Sequence, residues 1–259
     1  MKLKSTVKYQ MIDMGKPVSI FYFVLLCVLV FGFTVTGARF VISGNIVSTT
    51  NGSGFSGMEL ATVVFLFVCG LNSFKEFFRM FMQNGISRKT IFISRLITIL
   101  AVCTGMAVID KGILLLGKLI ASISNRIFYK GLFEMIYSVR ADRISPMHMH
   151  IDGFFFNLCL YLAAMTIGYF TTIAFYRMNR IAKITVAVGV PMVLLNGLPI
   201  LDAVLFHGAV MRALVSVFTF AFGFQNGGNP YFGMVSLLLI AAVFCCLSWL
   251  MVRRAVVKD

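Results

Sequence analysis

The stretch from Asn72 to Thr90 reads NSFKEFFRMFMQNGISRKT and lies between two apolar segments of membrane-spanning length. Phenylalanines recur in it at helical spacing, at Phe74, Phe77, Phe78 and Phe81. Charged and polar side chains turn away from them: Lys75, Glu76, Arg79 and Gln83. The stretch therefore predicts a short amphipathic helix that lies flat at a membrane surface and shows its charges to the cytosol. Such a helix is either a docking surface for a partner or an interfacial loop helix without one.

Local signals predict both ends of this helix. Ser73 and Glu76 have the spacing of a capping box, in which each side chain satisfies an amide at the helix start. Asn84-Gly85 is typical of a helix stop, because glycine adopts the left-handed conformation without steric cost. Ser87 is placed to cap the helix that follows.

Composition assigns the chain to the membrane. Hydrophobic residues make up 59% of the 259 residues and charged residues only 12%, and the mean hydropathy is +0.94. All six cysteines fall inside apolar runs and lack the spacing of a metal site, so we interpret them as packing residues. Basic residues beside membrane spans account for the net charge of +14, and we expect no nucleic-acid partner.

Apolar runs of about 20 residues predict an all-α integral membrane protein with six transmembrane helices, forming a single domain over residues 1–259. The predicted spans are about Val18–Ala38, Phe55–Phe74, Ile91–Gly112, Gly153–Tyr176, Ile184–Leu201 and Tyr231–Val252. Residues 1–16 have an apolar face flanked by lysines, which predicts an interfacial helix before the first span. Pro191 and Pro199 predict that the fifth span is kinked or broken.

Charge predicts the orientation. If both termini lie in the cytoplasm, the cytoplasmic segments hold about two thirds of the 23 lysines and arginines, as the positive-inside rule requires of a multi-pass cell-membrane protein. Ala203–Gly223 is apolar and is either a seventh span or, as we prefer, an outer re-entrant hairpin. Ile113–Ile151 is a long, semi-apolar external stretch that extends the third span or lies along the outer leaflet.

Ionisable residues inside lipid are functional hypotheses by default. Four fall in or beside spans: Glu59, Asp110, Lys111 and Asp202. We place all four near span ends, where water is close, although Glu59 also fits the inside of the bundle. Arg95 is expected near one end of the third span, where its long side chain reaches the interface.

Sequence motifs give little support for chemistry in this chain. It has no G-x-x-x-x-G-K-[ST] loop, so any ATP-driven work must come from another polypeptide. Ser56 lies in a GFSG tetrapeptide, and with His207 as a base it would suggest an intramembrane serine protease; a Gly/Ser-rich loop explains the tetrapeptide as well. Met147–His150, near Asp152, has donors for a soft metal but also fits a turn before a span. We expect no catalytic residue, bound cofactor or metal.

The order of these segments resembles the permease subunit of a type-2 ATP-binding cassette exporter. The whole chain matches the family in layout, and Asn84–Lys89 (NGISRK), which follows an aromatic-rich helix, is similar to the GxSRK turn of such permeases. Ala203–Gly223 is similar in place to the family's outer re-entrant helices. The long Ile113–Ile151 stretch departs from the compact linkers of the family.

The resemblance implies that the helix after the second span is a coupling helix, which docks in a groove of a P-loop ATPase. The residues it assigns to that interface are Ser73, Phe74, Lys75, Glu76, Phe77, Phe78, Arg79, Phe81, Gln83, Asn84, Gly85, Ser87 and Arg88. It implies two permease copies with two ATPase subunits in a lipid membrane, ATP and magnesium on the ATPase, and an amphipathic cargo such as an antimicrobial or other peptide. Asp202, His207 and Arg212 are the candidates for gating or cargo release. A secondary transporter or channel without an ATPase remains the alternative from another class.

Overall fold

The computed structural model describes residues 2–42, 54–124, 128–138, 145–224 and 228–253, and these are predominantly α-helical. The long helices are α1 (Lys2–Ile42), α4 (Arg88–Ser124), α6 (Pro146–Arg177) and α10 (Pro230–Arg253). The shorter ones are α2 (Glu59–Asn72), α3 (Lys75–Gln83), α5 (Leu132–Ile136), α7 (Arg180–Met192), α8 (Leu198–Leu205) and α9 (Ala209–Ala221). Strands β1 (Gly54–Ser56) and β2 (Phe128–Lys130) pair in parallel, with Phe55 opposite Tyr129.

Five helical runs among the described residues are long and apolar enough to cross a membrane. They are Leu3–Gly32, Glu59–Gln83, Arg88–Ile120, Pro146–Arg177 and Pro230–Arg253. The chain is therefore a helical membrane protein. Three of the six predicted spans fall within these runs, and two others, Val18–Ala38 and Phe55–Phe74, overlap them. The run Glu59–Gln83 includes α3, which only Ser73 and Phe74 separate from α2.

The fifth predicted span is helical but interrupted. A π-helical turn, Val193–Gly197, joins α7 to α8, and the amide of Leu198 donates to the carbonyl of Val193 across it. Pro191 and Pro199 flank this turn and lack the amide hydrogens that a regular helix needs, which is the physical reason for the break. The sequence predicts a kinked or broken span, and the structure has a π-helical turn between the two prolines.

The predicted boundary between an interfacial helix (residues 1–16) and the first span is absent. α1 runs through Pro17 as one helix, so residues 2–16 form its first turns. A proline removes one helical hydrogen bond and bends a helix, but packing along α4 on both sides of Pro17 keeps the helix continuous: Gln10 Nε2 donates to Ser94 Oγ at 3.2 Å, and Tyr22 Oη donates to Met106 O at 3.1 Å.

The centre of the bundle is α6, which packs against α2, α4 and α10. The backbones of α2 and α6 approach closely at two glycines. A Cβ on Gly70 would lie 2.6 Å from Met165 O, and one on Gly168 would lie 2.3 Å from Phe67 O. Small residues at such a crossing allow van der Waals packing between transmembrane helices, and the Thr172 hydroxyl also donates to Leu71 O there.

The predicted external stretch Ile113–Ile151 is partly helical. Its first residues extend α4 to Ser124, in agreement with the alternative that this stretch extends the third span. The strand β2 and the helix α5 follow. Its last residues, from Pro146, begin α6 ahead of the predicted fourth span.

Candidate functional site

The aromatic face of α3 packs against the protein's own helices. Phe78 is 1% exposed, and Phe74 and Phe81 are also buried. This cluster also contains residues from α4, α6 and α10: Ile91, Phe92, Tyr169, Ile173 and Val252. Phe74 stacks on Phe78 at 4.8 Å between ring centroids. The predicted phenylalanine anchors therefore hold α3 to the bundle, and we call this part of the molecule the α3 end.

Phe77 is only partly buried, and it completes the aromatic face at the side next to α1. The Tyr9 ring meets Phe77 and Phe81 edge-on, at 6.1 Å between centroids in each case. Between α1 and α3 lies a groove of about 580 Å³ lined by Ser5, Thr6, Tyr9, Met80, Phe81, Asn84 and Ile86.

The C-terminus of α3 is closed as the sequence predicts. Gly85 has a φ of +67°, its amide donates to Met82 O at 3.1 Å, and the amide of Ile86 donates to Phe81 O at 3.0 Å. These two bonds form a Schellman motif, and the Asn84 side chain adds a bond to Met80 O at 2.8 Å. Ser87 Oγ accepts the amide of Thr90 at 3.3 Å, so it caps α4 as predicted.

The predicted capping box at the start of α3 is wrong. Phe74 is the N-cap residue and makes no side-chain cap, while Ser73 Oγ donates to Gly70 O at 2.6 Å. The reason is the short connection: Ser73 directly follows α2 and satisfies a carbonyl at the end of that helix instead of an amide of α3. Glu76 is therefore left on the surface.

The outward face of α3 and the turn after it are polar. Exposed residues here are Glu76, Arg79, Gln83, Asn84, Gly85 and Ser87. The Lys75 side chain lies outside the described part. Arg88 is partly buried, and its guanidinium donates to Arg253 O at 2.8 Å, so it joins the start of α4 to the end of α10. The residues predicted for a coupling interface thus divide into buried anchors and an exposed polar surface, which we call the α3 polar face.

The predicted gating residues meet in one turn between α8 and α9. The Asp202 carboxylate accepts the amides of Val210 and Met211 at 2.9 and 2.8 Å, so it caps α9 across the turn. Arg212 donates from Nε to Gly208 O and from Nη2 to His207 O, at 3.1 and 3.0 Å. His207 is exposed and has a φ of +49°. α8 and α9 are joined by this short turn, and we call the two helices with their turn the hairpin. α9 is shorter than a full membrane span.

Two ionisable residues expected near span ends lie inside the bundle. Arg95 is 2% exposed, so its side chain does not reach the protein surface. Its three guanidinium nitrogens make no hydrogen bond to the described residues, and it lies over the Tyr169 ring at 5.9 Å from the centroid. Asp110 is buried where α1, α4 and α6 meet, with the Tyr22 and Tyr161 hydroxyls on its carboxylate. Glu59, also buried, accepts the amide of Leu132 at 3.1 Å.

The structure gives no support to the alternative chemistry. Ser56 lies in β1 with its side chain outside the described part, so its relation to His207 is untested. His148 and His150 lie in the first turns of α6, and no group of three or more potential metal ligands comes together among the described residues.

No family model, no curated protein and no solved structure matches this chain.

Proposed function

We propose that this protein is the transmembrane subunit of an ATP-driven exporter of the type-2 ATP-binding cassette class. In this proposal a separate P-loop ATPase docks on the α3 polar face, and two copies of each subunit form the working assembly in the cell membrane. ATP and magnesium bind to the ATPase, and this chain moves an amphipathic cargo such as a peptide.

The observation that carries the proposal is the division of α3 into two faces. Phe78 and Phe81 are buried in a cluster with residues of α4, α6 and α10, while Glu76 and Arg79 are exposed. A push on the polar face would therefore reach three membrane helices through rigid aromatic contacts, as a coupling element requires. An interfacial loop helix without a partner needs no such firm attachment.

The alternative from another class is a secondary transporter without an ATPase. It is favoured by one observation, the buried acidic residues Asp110 and Glu59, because intramembrane carboxyl groups serve as ion relays in such transporters. A transport assay in reconstituted vesicles distinguishes the exporter from the secondary transporter. The exporter requires the ATPase and ATP, whereas transport driven by an ion gradient alone would favour the secondary transporter.

The first prediction tests the two faces of α3 with matched variants. Phe78→Ala removes a buried anchor and should destabilise the α3 end by about 3–5 kcal/mol, with loss of coupled ATPase activity. Arg79→Ala removes an exposed charge from the neighbouring position and should leave the fold intact while it weakens ATPase binding by about 1 kcal/mol or less. Co-purification of the co-expressed ATPase and its rate of ATP hydrolysis measure both effects.

Gly85→Val is a third variant in the same experiment. A β-branched residue disfavours the left-handed conformation at Gly85, and we expect the variant to resemble Phe78→Ala although a side chain there meets no neighbour within 4 Å. If all three variants bind and stimulate the ATPase like the parent, α3 is an interfacial helix and the proposal fails.

A further inference from the structure

Asp110 lies at the junction of four helices and two tyrosine hydroxyls. Its Oδ1 accepts the Tyr22 hydroxyl of α1 at 2.9 Å, and its Oδ2 accepts the Tyr161 hydroxyl of α6. On the α2 side the Thr62 hydroxyl is fully buried and makes no hydrogen bond to the described residues. The phenol groups of Tyr22 and Tyr161 carry no positive charge that could balance a carboxylate.

The number of donor hydrogen atoms around Asp110 favours a neutral carboxyl group. Tyr22 has a single hydroxyl hydrogen, yet its oxygen lies 3.1 Å from Met106 O and 2.9 Å from Asp110 Oδ1, both of which are acceptors. If Oδ1 carries a proton, it donates to Tyr22, and the Tyr22 hydrogen is free to donate to Met106 O. The neutral form thus satisfies both close contacts, whereas the ionised form leaves one of them without a hydrogen.

The charged groups around Asp110 do not compensate a carboxylate. Lys118 forms an ion pair with Glu134, and Asp110 takes part in no ion pair among the described residues. Lys111, the next residue on α4, has its Nζ beside Gly153 of α6. Glu59 of α2 is a second acid, and burial raises the pKa of Tyr129 in β2 to about 12, so that phenol is neutral. An uncompensated carboxylate in a membrane interior is costly.

A small cavity connects the two acids. It has a volume of about 10 Å³, which is about the size that one water occupies, and its lining includes Glu59, Asp110 and Tyr129. Glu59 Oε2 accepts the amide of Leu132 at 3.1 Å. The two acids thus have different partners, because a backbone amide donates to Glu59 whereas tyrosine hydroxyls contact Asp110.

We propose that Asp110 is a proton-binding site of this protein, which holds one proton at neutral pH and exchanges it through Glu59. In the exchange, a proton moves from the Glu59 carboxyl group to Asp110 Oδ1, so that Glu59 becomes a carboxylate and Asp110 becomes neutral. The ligand is a proton, and a bound water in the cavity is the bridge. This inference does not depend on an ATPase partner.

Infrared spectroscopy of the purified full chain in lipid nanodiscs tests the proposal. The parent protein at pH 7 should show a carbonyl stretching band of a protonated carboxyl group, and Asp110→Asn should remove it. Asn replaces the neutral acid with a group of the same shape, which favours folding of the variant. Asp13→Asn, which changes an exposed aspartate on α1, is the matched control and should leave the band unchanged.

A second set of variants keeps the test independent of Asp110→Asn. Tyr161→Phe removes the hydrogen bond to Oδ2 and should shift the same band to higher wavenumber, and Glu59→Gln should retain the band but slow its exchange with deuterated water. Absence of the band from the parent at pH 7, or a band that neither Asp110→Asn nor Tyr161→Phe alters, would overturn the proposal.

Discussion

At the scale of single residues, Asp202 and His207 lie close together but differ in how much they contribute to the stability of the turn between α8 and α9. The Asp202 carboxylate is buried and accepts two backbone amides at the start of α9, whereas the His207 side chain is exposed. A helix start whose amides lose their acceptor is destabilised, and exposed side chains contribute little. The structural role in this turn therefore belongs to Asp202.

We predict that Asp202→Ala lowers the stability of the hairpin by about 0.5–2 kcal/mol, because the cap of α9 is lost. Asp202→Asn should retain part of the cap, so its stability should lie between those of the parent and Asp202→Ala. His207→Ala should leave assembly intact and change transport only modestly. Thermal unfolding of each variant in detergent, together with its transport rate, measures the difference, and equal effects of the two alanine variants would contradict this assignment.

The two ends of α3 show which local features could be predicted from the sequence. The end of α3 was predictable because Asn84, Gly85 and Ser87 act through bonds to residues within five positions. The start of α3 was not predictable, because the Ser73 side chain can bond either to the end of α2 or to the start of α3. The sequence does not show how closely the two helices follow one another. The burial of Arg95 and Asp110 was also beyond prediction, because it depends on helices that are distant in the chain.

At the scale of elements, α2 and α6 approach each other closely at Gly70 and Gly168. Each glycine faces backbone atoms of the other helix, and a backbone cannot move aside as the end of a flexible side chain can. The crossing therefore depends on the absence of a single carbon atom at Gly70 and at Gly168.

We predict that Gly168→Ala separates α2 from α6 and costs about 1–3 kcal/mol of stability, as overpacking does. Gly105→Ala is the matched control: its Cβ would meet nothing within 4 Å, and alanine favours a helix, so its stability should be equal or higher. A thiol-reactive dye reports unfolding in this protein, since Cys69, Cys103 and Cys159 are buried. Equal melting temperatures for the two variants would show that the helices are not in close contact.

At the scale of the whole molecule, the apolar helices establish a membrane protein, while its orientation remains a prediction from charge. In the predicted six-span arrangement, the α3 end and the hairpin lie on opposite sides of the membrane. The positions of the long helices were predictable from apolar runs, and the interruption between α7 and α8 from Pro191 and Pro199. The lengths of α1 and α4 and the continuity of α1 through Pro17 were not, because they depend on packing between helices.

Single cysteines test the orientation in a chain from which the native cysteines have been removed. A cysteine at Gln83, which is exposed on α3, should react with an impermeant thiol reagent only from the cytoplasmic side. A cysteine at Ser48, which lies outside the described residues, should react only from the outside. Labelling of both positions from outside would exclude the proposed topology and the docking surface with it.

The pairing of α1 with α4 has a consequence for synthesis of the protein. Gln10 and Ser94 are 84 positions apart, as are Tyr22 and Met106, so the two helices run in the same direction with a constant offset. At the usual speed of translation, roughly 4–17 seconds pass between the emergence of the two partners from the ribosome. During that interval Gln10 and Tyr22 have left the ribosome without their acceptors. The first helix must therefore wait at the insertion machinery, or in lipid with unsatisfied polar groups, until the third span arrives.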